Sequence, residues 1–383
     1  MVNKYEQPGI FKALALSNCK RKKTNFLSVL IFEFLIQPSR DPYPMNKSRL
    51  TSFFAVIFIC VSIESTAQQE QRTLLALSKG DHTLAIVNSV TLKVIARVPV
   101  GPDPHEVIAS EDGKRAYVTN TGGGKSYEIN VIDLVAQKAL PNIDTKPLNG
   151  PHGVVFVGGK VWFSAEGAKA VGRFDPTINK VDWSIGTGED RTHMIYVTND
   201  EKKIYTTNVN AGTVSILTDT LLPAPPFPGG QPRRDWVQKV VKVSKGAEGF
   251  DVTPDGKQLW TAASEDGTIS VIDLATKKLA FVIDAKVLGA NRLKFTPDGK
   301  LALVSSLRTG DLFVFDVASR KEIKRITFGE GGAGILVDED GSRAFIGCTA
   351  DNYVAVIDLK KLELINKIDV GAGPDGLAWA VKR

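Results

Sequence analysis

Short stretches of alternating apolar and polar residues follow one another along most of the chain, separated by turn residues. Four stretches make one repeat of about forty residues. A loop of small residues leads into the first stretch, which an Asp-Gly pair often closes, as at residues 112–113 and 255–256. The second has the form of residues 116–120 (AYVTN), and the third often ends in Val-Ile-Asp. Period-two alternation between turns predicts β-strands paired as antiparallel hairpins.

Seven copies of the first stretch can be aligned in the sequence. Their spacing is regular except where residues 221–234 insert a segment rich in Pro and Gly, which we interpret as an irregular loop. Position by position, the second residue of each copy is His105, His152, His193, Glu248, Asn291, Ala333 and Asp375. Seven copies predict an all-β fold, a seven-bladed β-propeller of four-stranded antiparallel blades.

The last blade is predicted to combine strands from both ends of the repeat region. The final copy, which begins at Pro374, has only its first strand. The three remaining strands are predicted at residues 73–77, 83–87 and 94–98. Such an arrangement closes the ring and removes a free sheet edge, which would otherwise favour aggregation.

The residues before the repeats follow the pattern of a secretion signal. Residues 45–49 are basic, residues 50–63 are mostly apolar, and small residues surround a predicted cleavage between Ala67 and Gln68. We therefore expect a signal peptide at 45–67, one propeller domain at 68–383, and export to the periplasm or beyond. Residues 1–44 are interpreted as a doubtful extension before the true start at Met45, with an unusual bipartite leader as the alternative.

Net charge is concentrated in the leader. The chain has 48 basic and 42 acidic residues, and 39 and 38 of them lie in residues 68–383. A domain with nearly balanced charge has no field that would attract nucleic acid, so no nucleic-acid partner is expected. The domain has a single cysteine, Cys348, which rules out a disulfide within it and is interpreted as a small buried hydrophobe.

Several repeat motifs resemble a known family. Residues 111–120, followed by 130–134, and residues 253–257 (TPDGK) match the consensus of the YVTN β-propeller repeat. The resemblance covers residues 72–383. It implies a WD40-like propeller, similar in fold to the β-propeller subunit of quinoprotein amine dehydrogenases. It implies no catalytic motif, since the matching residues are those that build the repeat.

The candidate site is the mouth of the central channel, where loops from all blades converge in propellers. We expect a ligand to be bound there by the ring of equivalent residues together with two others on the same face. These candidate ligand-binding residues are His82, His105, His152, His193, Glu248, Asn291, Arg292 and Asp375. Catalytic residues are not identified.

A metal is a further candidate for this mouth. His105, His152, His193 and Glu248 offer donors that suit a divalent transition metal such as zinc, copper or iron. The alternative is that each histidine forms a hydrogen bond to a neighbouring blade.

Other charged residues have weaker interpretations. Arg191, Arg308 and Lys125 are placed on the mouth face, where they would bind an anion or remain solvated loop charges. An aspartate recurs at the ends of third strands, and its regular placement indicates that it stabilises turns. These aspartates are Asp133, Asp273, Asp316 and Asp358.

Taken together, the sequence predicts an exported binding or interaction protein that recognises a small ligand or a protein partner at the channel mouth. The alternative is an enzyme at the same mouth, either a metal- or histidine-assisted lyase or hydrolase or a propeller partner in quinoprotein-type oxidation. The domain is expected to be a monomer without a transmembrane span.

Overall fold

A computed structural model gives the fold. The chain divides into two units, Met1–Ala67 and Gln68–Arg383. The structure describes residues 71–226 and 228–382, so the predicted signal peptide lies outside the described residues. The second unit contains seven sheets, each of four antiparallel strands, and no described helix is long and apolar enough to cross a membrane. The predicted seven-bladed propeller is confirmed.

The first strand of each blade faces the channel, and each contacts the first strands of both neighbouring blades. The seven channel strands are β4 (Pro104–Ala109), β8 (Pro151–Val157), β12 (Thr192–Val197), β16 (Ala247–Val252), β20 (Ala290–Phe295), β24 (Gly332–Val337) and β28 (Pro374–Lys382). These strands form a closed ring, because β28 contacts both β24 and β4.

The second and third strands of each blade are mostly buried between neighbouring blades. The second strands are β1 (Gln71–Ser78), β5 (Arg115–Asn120), β9 (Lys160–Ala165), β13 (Lys203–Asn208), β17 (Gln258–Ala263), β21 (Leu301–Ser306) and β25 (Arg343–Cys348). The third strands are β2 (Thr83–Asn88), β6 (Glu128–Asp133), β10 (Ala170–Asp175), β14 (Thr213–Leu222), β18 (Ile269–Asp273), β22 (Asp311–Asp316) and β26 (Tyr353–Asp358). Their near-continuous apolar runs match burial on both faces.

The outer strands are the most exposed, and the one at residues 180–186 (KVDWSIG) keeps a clear alternation of exposed and half-buried positions. They are β3 (Val94–Pro99), β7 (Lys138–Asp144), β11 (Lys180–Gly186), β15 (Arg233–Lys242), β19 (Lys278–Ile283), β23 (Lys321–Thr327) and β27 (Glu363–Ile368). The alternation follows from position, because only one face of an outer strand packs against the blade interface.

The closing blade is assembled as predicted. Its strand order is β28-β1-β2-β3. Strand β28 pairs antiparallel with β1, and the first pair of this register is Gln71 opposite Lys382. Leu75 and Leu77 of β1 belong to the same buried cluster as Ala378 of β28. Closure therefore depends on both hydrogen bonds and apolar burial.

The inserted segment is less irregular than predicted. The third and fourth strands of its blade extend into it, so that Leu221 pairs with Arg234 and Leu222 pairs with Arg233. An ion pair of 2.7 Å between Arg234 and Asp219 stabilises the lengthened hairpin. The prediction of an irregular loop over 221–234 was therefore wrong at both ends, and the connection is confined to 223–232.

The residues interpreted as structural do serve the fold. Each of the four repeated aspartates accepts backbone N–H bonds within its own turn; Asp133, for example, bonds the N–H groups of Val135 and Ala136. The Cys348 side chain is fully buried, and burial raises the pKa of its thiol to about 12. A thiol in that state is a packing group and not a nucleophile.

Glycines permit the close approach of neighbouring channel strands, which yields a stability prediction. A Cβ on Gly334 would lie 2.2 Å from the carbonyl oxygen of Asp375, whereas one on Gly186 would meet nothing within 4 Å. We expect Gly334→Ala to lower the free energy of unfolding by about 1–3 kcal/mol, because backbone atoms cannot give way as a side chain can. Gly186→Ala is the matched control and should change it little. Urea denaturation measures both, and equal effects would contradict the prediction.

Candidate functional site

All seven equivalent positions of the channel strands line one cavity of about 300 Å³ at the channel mouth. Five further residues complete its wall: Lys79, Arg191, Arg292, Leu307 and Thr349. The cavity is therefore built from every blade, which explains why the repeat positions carry different side chains on a common backbone.

A bulge in each channel strand positions the ring. In the blade of β4 and β5, the pairing register shifts between Pro104 and Val107, so that His105 and Glu106 together face Thr119. The Thr119 hydroxyl accepts the N–H of Glu106 at 3.2 Å and donates to the carbonyl oxygen of His152 in the next blade at 2.5 Å. The equivalent hydroxyls that bond across to the next channel strand are Ser164, Thr207 and Ser305. Bulges of this kind redirect side chains next to binding sites.

An ion pair crosses the channel one residue deeper than the ring. Arg292 of β20 donates from Nε to Glu106 of β4 at 3.1 Å, and a second guanidinium nitrogen bonds the same carboxylate. On one side of the ring β28 and β24 separate these strands, and on the other side β8, β12 and β16 do. Burial disfavours the charged guanidinium, but the Glu106 and Asp375 carboxylates outweigh burial and raise the pKa of Arg292. Of the two members of this pair, Arg292 lines the cavity.

The three ring histidines lie side by side on consecutive blades. The ring centroids of His105 and His152 are 4.5 Å apart, and those of His152 and His193 are 3.9 Å apart. His105 is held at its edge by Nε2 contacts with Asp103 at 3.0 Å and with the Lys79 ammonium at 2.9 Å. The sequence left open whether these imidazoles converge or contact separate blade interfaces, and the structure brings them together.

His193 lies between two carboxylates. Its Nδ1 is 2.5 Å from Glu166 Oε1, and its Nε2 is 3.1 Å from Glu248 Oε2, an ionic contact outside hydrogen-bond angles. Burial disfavours the imidazolium, but the two carboxylates outweigh burial and raise the pKa of His193. Burial alone would raise the pKa of Glu248, but His193 lowers it to about 2. Arg191 approaches both carboxylates from the rim.

His152 is the exception among these paired groups. Its side chain is buried, with 1 % exposure, and neither ring nitrogen has a hydrogen-bond partner. Burial, and then the positive charge of His193, hold the pKa of His152 well below its ordinary value, so this imidazole is neutral. A neutral, unpartnered imidazole in a cavity wall retains one donor and one acceptor for a bound group.

One set of metal-ligating side chains stands out among the described residues. Nitrogen or oxygen atoms of His152, Glu166 and His193 lie within 4.8 Å of one another. The predicted metal set was His105, His152, His193 and Glu248. The structure keeps two of those residues in the group, adds Glu166, and leaves His105 and Glu248 outside it.

Most of the predicted mouth residues line the cavity, and some do not. Arg191 and Arg292 line the cavity, but both are occupied by carboxylates. His82 is exposed in the turn between β1 and β2 with a φ of 52° and does not line the cavity. Arg308 and Lys125 are also absent from the wall.

Sequence reasoning missed three side chains that contact the histidines, namely Asp103, Lys79 and Glu166. Lys79 and Glu166 are each the first residue after the second strand of their blade. The signal was available, because these positions are equivalent in the repeat, as are Leu307 and Thr349. The ends of four second strands therefore contribute to the site, three of them to the cavity wall.

Comparison with known proteins supports the fold. No family model matches the chain, and no curated protein matches its sequence, so membership of the YVTN family stays a prediction. Hydrazine synthase from Kuenenia stuttgartiensis is similar in structure, with a TM-score of 0.58 and 16 % identity over 76 % of this chain and 92 % of that chain. A protein of unknown function from Desulfotomaculum acetoxidans is also similar in structure, with a TM-score of 0.62 and 12 % identity over 79 % of this chain and 98 % of that chain.

Dihydro-heme d1 dehydrogenase NirN, in complex with DHE, gives a TM-score of 0.55 and 17 % identity over 78 % of this chain and 63 % of that chain. Identities this low establish a shared propeller fold and nothing about shared chemistry. The class defined by the fold is thus a seven-bladed β-propeller with a histidine-rich channel mouth.

Proposed function

We propose that this protein binds a small polar ligand in the cavity at the mouth of its channel. The observation that carries the proposal is His152, a buried imidazole that lines the cavity and has no partner for either ring nitrogen. Buried polar groups in folded proteins nearly always have partners, and the exceptions often mark functional sites. A ligand that forms hydrogen bonds with this imidazole supplies the partners that the protein itself does not provide.

The size and depth of the cavity favour a small molecule over a protein partner. Its volume of about 300 Å³ is at the lower end of the usual range for small-molecule pockets. The His152 side chain has 1 % exposure, so a flat protein surface resting on the mouth would not reach it.

The charges favour a ligand of low net charge. Glu248 lies against His193 and Arg191, and Asp375 lies 3.6 Å from both Lys79 and His105. Cations and carboxylates of the wall therefore neutralise one another, and a strongly anionic ligand would have to break existing ion pairs. Recognition by hydrogen bonding is the mode that this arrangement supports.

Native mass spectrometry of the full chain tests the proposal. We expect the purified protein to carry a small molecule that is released on denaturation, and His152→Phe to lose it because phenylalanine fills the site without donor or acceptor. His82→Phe is the matched control, since His82 lies outside the cavity, and should retain the molecule. A thermal unfolding midpoint confirms that each variant folds. A molecule retained by His152→Phe, or none in the wild type, would contradict the proposal.

An enzyme at the same mouth is the second candidate, favoured by the clustering of donor atoms from His152, Glu166 and His193. It would be a metal- or histidine-assisted lyase or hydrolase, or a partner in quinoprotein-type oxidation. The fold is shared with a dehydrogenase and a synthase, although similarity at this level carries only the fold. Hydrolysis of a chromogenic ester or lactone, lost in His152→Phe, would favour a hydrolase over a binding protein.

We also propose that the protein is exported to the periplasm or beyond. The basic, apolar and small-residue order of residues 45–67 supports this placement. N-terminal sequencing of the natural protein tests it: a mature chain that begins at Gln68 agrees with the proposal, and one that begins well before it does not.

A further inference from the structure

We infer that His152, Glu166 and His193 form a binding site for a divalent first-row transition metal, with zinc as the reference ion. The inference deepens the proposed function and rests on it, because two of the three residues, His152 and His193, line the same cavity. It differs from the sequence prediction in its residues, since Glu166 replaces His105 and Glu248.

Geometry provides the first argument. His152 comes from β8, Glu166 follows β9 of the same blade, and His193 comes from β12 of the next blade. Ligand atoms of the three lie within 4.8 Å of one another, a spacing that one ion can span with modest movement of the side chains. The backbone beneath them is fixed, because the Ser164 hydroxyl accepts the N–H of Gly153 at 2.8 Å and bonds the carbonyl oxygen of His193.

His152 provides the second and independent argument. Both of its ring nitrogens are buried without a hydrogen-bond partner, and the side chain has 1 % exposure. A metal ligand must be a neutral imidazole with a free nitrogen lone pair. Both nitrogens of His152 are free of partners, whereas Nε2 of His105 is engaged by Asp103 and Lys79.

The surroundings match those of histidine metal ligands. A ligating histidine usually directs its second ring nitrogen at a carboxylate, which fixes the ring orientation. Glu248 Oε2 lies 3.1 Å from Nε2 of His193, so Nδ1, which faces Glu166 at 2.5 Å, is the nitrogen that would ligate an ion once the proton between these two groups is released. Arg191 Nε is 3.3 Å from Glu166 Oε1 and keeps that carboxylate in place.

The donor set selects the class of ion. Two imidazoles and one carboxylate suit zinc, iron or cobalt and are a poor set for calcium or magnesium, which prefer oxygen donors. Three protein ligands leave a coordination position open, as in catalytic zinc sites. That position would face the cavity, where the ligand of the proposed function would complete the coordination.

Titration of the chelator-treated full chain with Co²⁺ tests the inference. We expect one Co²⁺ per chain, a visible d–d absorption band of a four- or five-coordinate nitrogen–oxygen site, and loss of that band when Zn²⁺ is added. His152→Ala and Glu166→Gln should each weaken Co²⁺ binding at least about tenfold. Glu265→Gln is the matched control, because Glu265 is exposed in the corresponding turn of another blade.

His105→Ala distinguishes this site from the set predicted from sequence and should retain the band. Failure of the wild type to bind Co²⁺ or Zn²⁺, or a Glu166→Gln variant that binds as tightly as the wild type, would overturn the inference. Circular dichroism and thermal unfolding separate loss of the site from loss of the fold. If the small molecule is retained through His152 in the absence of any metal, the proposed function stands and only the metal site fails.

Discussion

Replacing Arg292 with alanine is expected to lower the free energy of unfolding by about 3–5 kcal/mol, because it leaves the Glu106 carboxylate buried without its partner. The exposed fractions of the two side chains are 6 % and 13 %, so water compensates little. The guanidinium also bonds the carbonyl and side-chain oxygens of Asn291. Urea denaturation at neutral pH measures the loss.

The control for this prediction is an arginine–glutamate pair of similar chemistry at the surface. Arg325 makes two hydrogen bonds of 3.0 Å to Glu322, but its side chain is 48 % exposed. Arg325→Ala should cost less than about 1 kcal/mol. The double change of Arg292→Met and Glu106→Leu should recover much of the loss, because replacing both members of a buried pair by apolar groups is often neutral. Equal losses in Arg292→Ala and Arg325→Ala would show that the channel pair has no special weight.

Removing β28 is expected to abolish folding to a stable monomer. The deletion of residues 374–383 takes away the strand that pairs with β1 and the channel strand between β24 and β4. It also removes Leu377, Ala378 and Ala380 from two apolar clusters. We expect the shortened chain to lose its cooperative thermal transition and to elute as an aggregate in size-exclusion chromatography, because β1 presents an unpaired edge.

A circular permutant is the matched control for this deletion. Gln71 and Lys382 are paired opposite one another, so a short turn sequence between them would form a hairpin. New termini placed within the connection at 223–232 would interrupt no described strand. This permutant keeps every strand and should unfold cooperatively near the wild-type temperature. A deletion variant that unfolds as cooperatively as the permutant would contradict the role assigned to β28.

The fold could be predicted because its information is local and repeated. Period-two alternation indicates each strand, and turn residues indicate each hairpin. Repetition also indicated the register, which is why His105, His152 and His193 could be placed at equivalent positions of three consecutive blades, although whether their side chains converge was left open. The hairpin around residues 221–234 was mispredicted at its ends, because Pro and Gly mark a connection but not where strand pairing stops.

The site could be predicted only in part, because its contacts join residues from different repeats. The Arg292–Glu106 pair links strands on opposite sides of the channel, and no local pattern relates them. Glu166 follows β9 and contacts His193 of β12 in the next blade, a contact that only the folded structure shows. His82 was expected at the mouth but does not line the cavity, because the repeat gives no measure of distance from the channel axis. That His152 lacks a partner is a property of the packed structure alone.

The pairing of β1 with β28 also constrains the order in which the protein can fold. Every other blade is continuous in sequence and can form as soon as its own residues are available. The closing blade pairs residues 71 and 382, so it has the largest sequence separation and the slowest expected step. Until then β1 offers an open edge to other chains and to proteases. If the protein crosses a membrane unfolded, a factor that shields this strand would protect the chain between translocation and ring closure.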